Sequence, residues 1–279
     1  MQPVYVDQNT FRLPKRQPKA HKGDFGRVSI LAGSVGYTGA PVFAANGAVR
    51  SGAGLVFLGV PKDIWAVTAV RCAEAMPYPL PRQEGEVLAR LSASDAVLMG
   101  PGFGMAMQTQ ELVRALTLKL ELPLVLDADG LNALAGHLDL LDGRSAPTVI
   151  TPHEGEFARL TGLSLPLTDR TDAAQTFARQ HGCTVVLKGH ETVTAAPDGR
   201  VWINGSGNPG MAKGGSGDVL AGMILSFVGQ GFPAPESAAM AVWLHGRAGD
   251  LAAEQLGEYA MTPTDLLTYL PRAIMELSE

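Results

Sequence analysis

Six short runs of β-branched and aliphatic residues, at 28–31, Leu55–Val60, Ala96–Met99, Leu124–Leu126, Thr148–Ile150 and 185–187, recur along this chain between turn-forming residues. They are short and predominantly apolar, as strands buried on both faces are. Helix-length segments at 40–50, 108–120, 154–160 and 171–180 fall between them. That alternation predicts an α/β fold with a mostly parallel central sheet covered by helices on both faces. Two more strands, 192–196 and 201–203, flank the turn Pro197-Asp198-Gly199-Arg200 and read as a hairpin. Three helices, 219–228, 235–256 and 264–275, close the pattern.

With 279 residues, 46% of them hydrophobic, the chain can bury one large core, and no Gly-Ser or charged tract divides it. A single domain over 1–279 with a short N-terminal arm at 1–24 is expected. The net charge of −5 argues against a general nucleic-acid binder. The basic group Arg12, Lys15, Arg16, Lys19 and Lys22 reads as a solvated face of the arm. Cys72 and Cys183 lack CxxC spacing, so neither a disulfide framework nor a zinc site is indicated. The longest apolar runs are too short for a bilayer span, and a soluble, cytoplasmic protein without a membrane partner is expected.

Residues 208–218, N-P-G-M-A-K-G-G-S-G-D, carry the chemistry. Gly210, Gly214, Gly215 and Gly217 allow tight backbone turns, and a helix starting there would aim free N–H groups at an anion. Asp218 sits where a bound phosphate would repel it. A helix-start acid is ordinarily a cap or a dipole partner. Beside a phosphate nest, it is better explained as a general base that takes a proton from an attacking hydroxyl.

Other nucleotide signatures fail on spelling. No Gly-Lys pair exists for a Walker A loop, and no HRD or DFG set for a protein kinase. Gly100, Gly102 and Gly104 follow a predicted strand, but a GxGxxG count lands on Met105 or Met107, which weakens a dinucleotide-dehydrogenase reading. The late glycine nest ending in Gly217-Asp218 resembles the ribokinase superfamily instead.

Beyond that nest, H-K-G-D-F-G-R-V at 21–28, G-Y-T-G-A-P at 36–41, R-S-G-A-G-L-V at 50–56 and G-P-G-F-G at 100–104 follow in order. Then come L-D-A-D-G-L-N at 126–132, T-P-H-E-G-E at 151–156 and L-K-G-H-E-T at 187–192. Together with 208–218, these motifs resemble the ADP/ATP-dependent NAD(P)H-hydrate dehydratase family over almost the full length. The resemblance implies a ribokinase-like fold and repair of S-NADHX and S-NADPHX, nicotinamides hydrated at C6. The C6 hydroxyl would be phosphorylated by ADP or ATP with magnesium, and phosphate would then be eliminated.

It also implies roles for particular residues. Asp218 would be the base and touch the substrate, with Ala40, Gly102, Gly104 and His153 around the hydrate. Lys188, Gly189, His190, Glu191 and Thr192 would hold the nucleotide, with Asn208, Gly214, Gly215, Ser216 and Gly217 about its phosphates. Glu156 would act on magnesium indirectly, through water. Tight turns, a surface lysine and a first-turn acid are the plainer accounts of these positions. Asp127, Asp129 and Asn132 end a strand and begin a helix; capping accounts for at least one of them and none reads as a catalyst, while His245 reads as a core or packing residue.

Lys213 and Ser216 stand where relatives commonly carry threonine, so Lys213 would add positive charge beside the anion site and leave open the choice of ADP or ATP. With only a short arm before the first strand, action on the S epimer and cooperation with a separate epimerase are expected, and the resemblance implies a homotetramer. A ribokinase-like kinase for a vitamin precursor or sugar would use the same base and anion site. A catalytically silent nucleotide sensor is a third reading.

Overall fold

The computed structural model describes residues 2–278. The first half runs β1 (Val4–Val6), β2 (Arg27–Leu31), α1 (Gly39–Arg50), β3 (Leu55–Val60), α2 (Lys62–Arg71), β4 (Met76–Pro79), α3 (Glu84–Leu91), β5 (Ala96–Met99) and α4 (Met107–Lys119). It continues through β6 (Leu124–Leu126), the short helices α5 (Asp129–Asn132) and α6 (Asp139–Asp142), and β7 (Thr148–Ile150). Then follow α7 (Glu154–Thr161), α8 (Arg170–His181), β8 (Thr184–Leu187), β9 (Thr192–Ala195) and β10 (Val201–Asn204). Three long helices close the chain: α9 (Ser216–Gly229), α10 (Ala234–Leu256) and α11 (Pro263–Leu277).

One ten-stranded sheet has the order β1-β10-β9-β8-β7-β6-β5-β2-β3-β4. Every pairing is parallel except the two that β9 makes, with β8 and β10. Alternation along each strand divides the core by faces. On β5, Ala96 and Leu98 join the layer of α1, α9, α10 and α11, while Val97 and Met99 join that of α3, α4, α7 and α8. The result is an α/β arrangement with helices on both faces of a mostly parallel sheet, as the sequence pattern predicts.

The elements that position the site owe their place to close packing of small residues. At Gly222 on α9 an added Cβ would lie 2.0 Å from the Ala44 carbonyl oxygen of α1, so the two helices meet backbone to backbone. The chain leaves β2 toward β3 and β4, then returns to place β5 on the other side of β2. Ligand crevices open at such a reversal, beyond the carboxyl ends of the strands. There the loops after β2 and β5 are tied together: Gly33 N–H donates to Pro101 O at 2.9 Å and Ser34 Oγ to Gly102 O at 2.9 Å.

The arm is held to the body at several places, Arg16 donating to Gly52 O at 2.7 Å among them. β1 pairs in parallel with β10, and Leu13 N–H donates to Leu277 O at 2.9 Å. β4, spelled M-P-Y-P, lacks a strand signature because its two prolines cannot donate to a ladder; it is an edge strand that pairs only with β3. No helix among the described residues is long and apolar enough to cross a membrane.

Candidate active site

Asp218 is the third residue of α9. Gly215 precedes the helix with φ +106°, a conformation suited to glycine, and a Cβ there would stand 2.8 Å from the Phe43 ring. The turn delivers the chain into the helix with the amides of Gly217 and Asp218 lacking any backbone acceptor among the described residues. A helix mouth with free N–H groups and positive dipole character is an anion site. Burial first, and then the negative charges of Asp127 and Asp129, lift the Asp218 carboxyl to about 7, against the opposing pull of Lys188. A carboxylate poised there is suited to exchange protons near neutral pH.

Lys188 follows β8 and meets this helix mouth: its Nζ lies 3.4 Å from where a Gly217 Cβ would stand. The ammonium donates to Asp127 Oδ1 at 2.9 Å and lies 3.8 Å from Glu156 Oε2. Asp127, at the end of β6, is 2% exposed and also accepts from Thr151 Oγ1 at 2.7 Å. Burial works to lower the Lys188 pKa, yet Asp127, Glu156 and Asp218 together raise it, so the side chain stays cationic. Sequence reading did not count Asp127 among the residues of the site; its position after a buried strand was the available signal.

His153 and Glu156 form a reciprocal cap at the start of α7. His153 Nδ1 accepts from the amides of Gly155 and Glu156 at 3.0 and 3.2 Å, and Glu156 Oε2 accepts from His153 N–H at 2.8 Å. Nδ1 is therefore the acceptor nitrogen, which leaves Nε2 to carry the proton of the neutral ring. Lys188 N–H donates to Pro152 O at 2.8 Å, which holds this cap beside the loop after β8.

That loop, 189–192, is closed by Thr192 Oγ1 donating to Gly189 O at 2.9 Å, and Arg170 of α8 fastens it through Leu187 O and His190 O. A cavity of about 910 Å³ opens here and gathers His153, all of Lys188 to Thr192, Asn208, Ser216 and Gly217 in its wall. Ala40, Gly102, Gly104, Glu156, Gly214, Gly215 and Asp218 do not line it. Asn208 is committed to its own loop, accepting from Gly210 N–H at 3.0 Å and donating to Asp250 Oδ1 at 3.1 Å. Lys213 lines the cavity, but its ammonium donates to Tyr259 O at 2.8 Å and Met261 O at 2.5 Å, so its charge is anchored to that turn.

Ala40, Gly102 and Gly104 lie instead at the crevice between β2 and β5. A Cβ on Gly102 would meet the Ala40 Cβ at 3.0 Å, and Gly104 N–H donates to Asp129 Oδ2 at 2.8 Å. Asp129 also acts on the Asp218 carboxyl, which connects this crevice electrostatically with the helix mouth. Among the described residues, two cavity groups have no hydrogen-bond partner, Ser216 Oγ and His245 Nε2. His245 is pushed down to about 4, first by burial and then by the Lys188 charge, against a Ser216 backbone contact, so it is neutral at physiological pH.

The family model described as NAD(P)H-hydrate dehydratase matches residues 28–272. This chain belongs to that family. Among the relatives, a bifunctional NAD(P)H-hydrate repair enzyme of Moorella thermoacetica is 43% identical over 279 residues, covering 96% of this chain and 53% of its own. The chain thus spans about half the length of that relative. An ADP-dependent (S)-NAD(P)H-hydrate dehydratase of Neisseria meningitidis serogroup B is 37% identical over 260 residues, covering 90% of this chain and 86% of the relative. The Bacillus subtilis ADP/ATP-dependent NAD(P)H-hydrate dehydratase, crystallised with ATP/Mg2+, superposes with a TM-score of 0.88 at 32% identity, covering 99% of both chains. Hydroxyethylthiazole kinase of Pyrococcus horikoshii, at 18% identity and a TM-score of 0.66, shares the fold.

Proposed function

We propose that this chain dehydrates S-NADHX and S-NADPHX to the reduced nicotinamides, using ADP or ATP. The observation that carries the reading is Asp218 in the first turn of α9, directly after Ser216 and Gly217, which line the cavity, and within the electrostatic reach of Asp129, which binds the crevice residue Gly104. In the first step, Asp218 takes the proton of the C6 hydroxyl as its oxygen bonds to the terminal phosphorus and the bond to the nucleotide leaving group breaks. The amides of Gly217 and Asp218 and the Lys188 ammonium stabilise the charge on the transferring phosphoryl group. In the second step the ring-nitrogen lone pair expels phosphate from C6, and loss of a C5 proton restores the dihydropyridine. Hydroxide is a poor leaving group and phosphate a good one, which is why the nucleotide is needed.

The donor set bears on magnesium. The described residues hold no cluster of three metal-binding side chains, but Asp127, Asp129, Glu156 and Asp218 outnumber the single Lys188 cation around the helix mouth. Such a set fits a cation carried in on nucleotide phosphates and touched through water, with Glu156 as its protein contact. Magnesium supplies neutralisation of phosphate charge when bound. Nucleotide contacts are assigned to Lys188 through Thr192 and to the nest at Gly214 to Gly217, with Asn208 shaping the loop. Hydrate contacts are assigned to Ala40, Gly102, Gly104 and His153.

The longer bifunctional relatives support cooperation with an epimerase that supplies the S form from the R form. We infer a cytoplasmic homotetramer, a reading supported by the family resemblance alone, and light scattering of the purified protein tests the assembly. The activity is tested by incubating protein, S-NADHX, magnesium and either nucleotide while following reduced-nicotinamide absorbance and released phosphate. Return of absorbance with one phosphate per turnover supports the dehydratase. A stable phosphoester product overturns it in favour of a kinase.

A further inference from the structure

We infer that the N-terminal arm and the far end of α9 enclose a second ligand site, for a small amphipathic anion: a phosphate monoester that carries an apolar or aromatic group. A cavity of about 810 Å³ opens there, nearly as large as the one at the mouth of α9, and the two share no wall residue. It lies between the arm and the C-terminal ends of α1, α9 and α11, with Arg50, Gln230 and Ser278 in its wall. At about 1.5 Å of rise per residue, Gln230 stands roughly 18 Å along the helix axis from Asp218. The site is therefore separate from the chemistry proposed at Asp218 and does not depend on it.

Its wall is cationic. Lys15, Arg16, Lys19 and Arg50 line it, against Asp24 as the acidic residue, and Asp24 Oδ2 already accepts from His21 N–H at 2.8 Å. Arg16 is committed to holding the arm: its guanidinium lies 3.7 Å over the Phe25 ring and donates to Gly52 O at 2.7 Å and Gln230 Oε1 at 3.2 Å. Among the described residues, Lys15, Lys19 and Arg50 have no carboxylate within 4.0 Å. Like charges gathered around one recess repel, and a bound anion relieves them. Ser51, directly after α1, is a second and independent sign. It is 4% exposed and part of this wall, and its Oγ has no hydrogen-bond partner among the described residues. Buried polar groups are paired in native proteins, so an orphaned hydroxyl points to a partner from outside the chain. Leu13, Phe25, Phe232 and Ile274 supply apolar surface. Inorganic phosphate would leave that surface uncovered, and a neutral hydrocarbon would leave the cations unpaired; a ligand with an anionic head and an apolar body satisfies both.

Isothermal titration with naphthyl phosphate tests the site, with naphthalenemethanol and inorganic phosphate as probes that lack the head or the body. Wild type is compared with the double variant Lys15→Gln/Lys19→Gln, whose two lysines are exposed, and circular dichroism establishes that the variant is folded. Should it not fold, Arg50→Gln carries the same comparison. Wild type should bind naphthyl phosphate, and the variant should bind it roughly 10-fold or more weakly, the loss of a charge-assisted contact. Each partial probe should bind wild type more weakly than naphthyl phosphate by a similar factor. No binding of naphthyl phosphate to wild type at millimolar concentration, equal affinity in wild type and variant, or a partial probe bound as tightly as naphthyl phosphate overturns the inference.

Discussion

The ammonium of Lys188 and the carboxylate of Asp127 form an ion pair at 2.9 Å across 61 residues of sequence, at the edge of the helix mouth that carries Asp218. Because Asp127 is almost completely buried, the pair is shielded from solvent on one side and open to the cavity on the other. Lys188 is therefore pre-placed for phosphate. Replacing it with methionine should weaken nucleotide binding by roughly 10- to 100-fold, the range for a charge-assisted contact of about 1.5–3 kcal/mol. Isothermal titration with ADP and ATP measures this; unchanged affinity would place the phosphates elsewhere.

Stability against pH should expose two groups with opposite signs. Asp218 is raised from 3.8 to about 7, so its folded form holds a proton the unfolded chain has released, and stability falls as pH rises from about 4 to 7. His245 is lowered from 6.5 to about 4, so its contribution is complete above pH 6.5 and is lost as pH falls toward 4. Between pH 4 and 6.5 the two slopes oppose each other. Denaturant melts of Asp218→Asn should show stability rising with pH in that window, and those of His245→Gln should show it falling. At pH 8, Asp218→Asn should exceed wild type by roughly 1–3 kcal/mol, after discount for partial solvent screening.

Neighbouring glycines should respond differently to alanine. Gly215 has φ +106° and would press a Cβ to 2.8 Å from the Phe43 ring, whereas Gly214 has no atom within 4 Å of its Cβ position. Gly215→Ala should cost roughly 1–3 kcal/mol of stability and displace the amides of the helix mouth. Gly214→Ala should be within roughly 0.5 kcal/mol of wild type. Thermal melts of the pair provide the comparison, and equal losses would contradict the described turn.

Both cysteines should be inert in the folded protein. Burial pushes Cys72 up to about 11 and Cys183 up to about 12. A thiol reagent at pH 8 should label neither until denaturant is added. Rapid labelling of native protein would show one of these segments opening.

What the sequence disclosed follows from the range of the interactions involved. The strands from β2 through β8 that lie in the sheet interior are runs of apolar residues, and the nest at 214–218 is a local backbone requirement; both are legible without knowing the partners. β4 was not, since its prolines contradict strand propensity and only its edge position tolerates them. β1 is three residues long in a stretch that otherwise reads as a polar arm. Asp127 was not counted in the site because strand-to-helix junctions favour aspartate, while the lysine that gives it another purpose arrives two strands later. His245 was rightly placed in the packing of α10, but its neighbourhood with Ser216 and the cavity required the tertiary structure.

The most direct test of the account compares wild type with Asp218→Asn in a single turnover with S-NADHX, magnesium and saturating nucleotide. Binding of nucleotide should be retained, while formation of reduced nicotinamide and release of phosphate should fall by roughly 100-fold or more, the scale of losing a general base. A variant that turns over at close to the wild-type rate would show that Asp218 is not the proton acceptor.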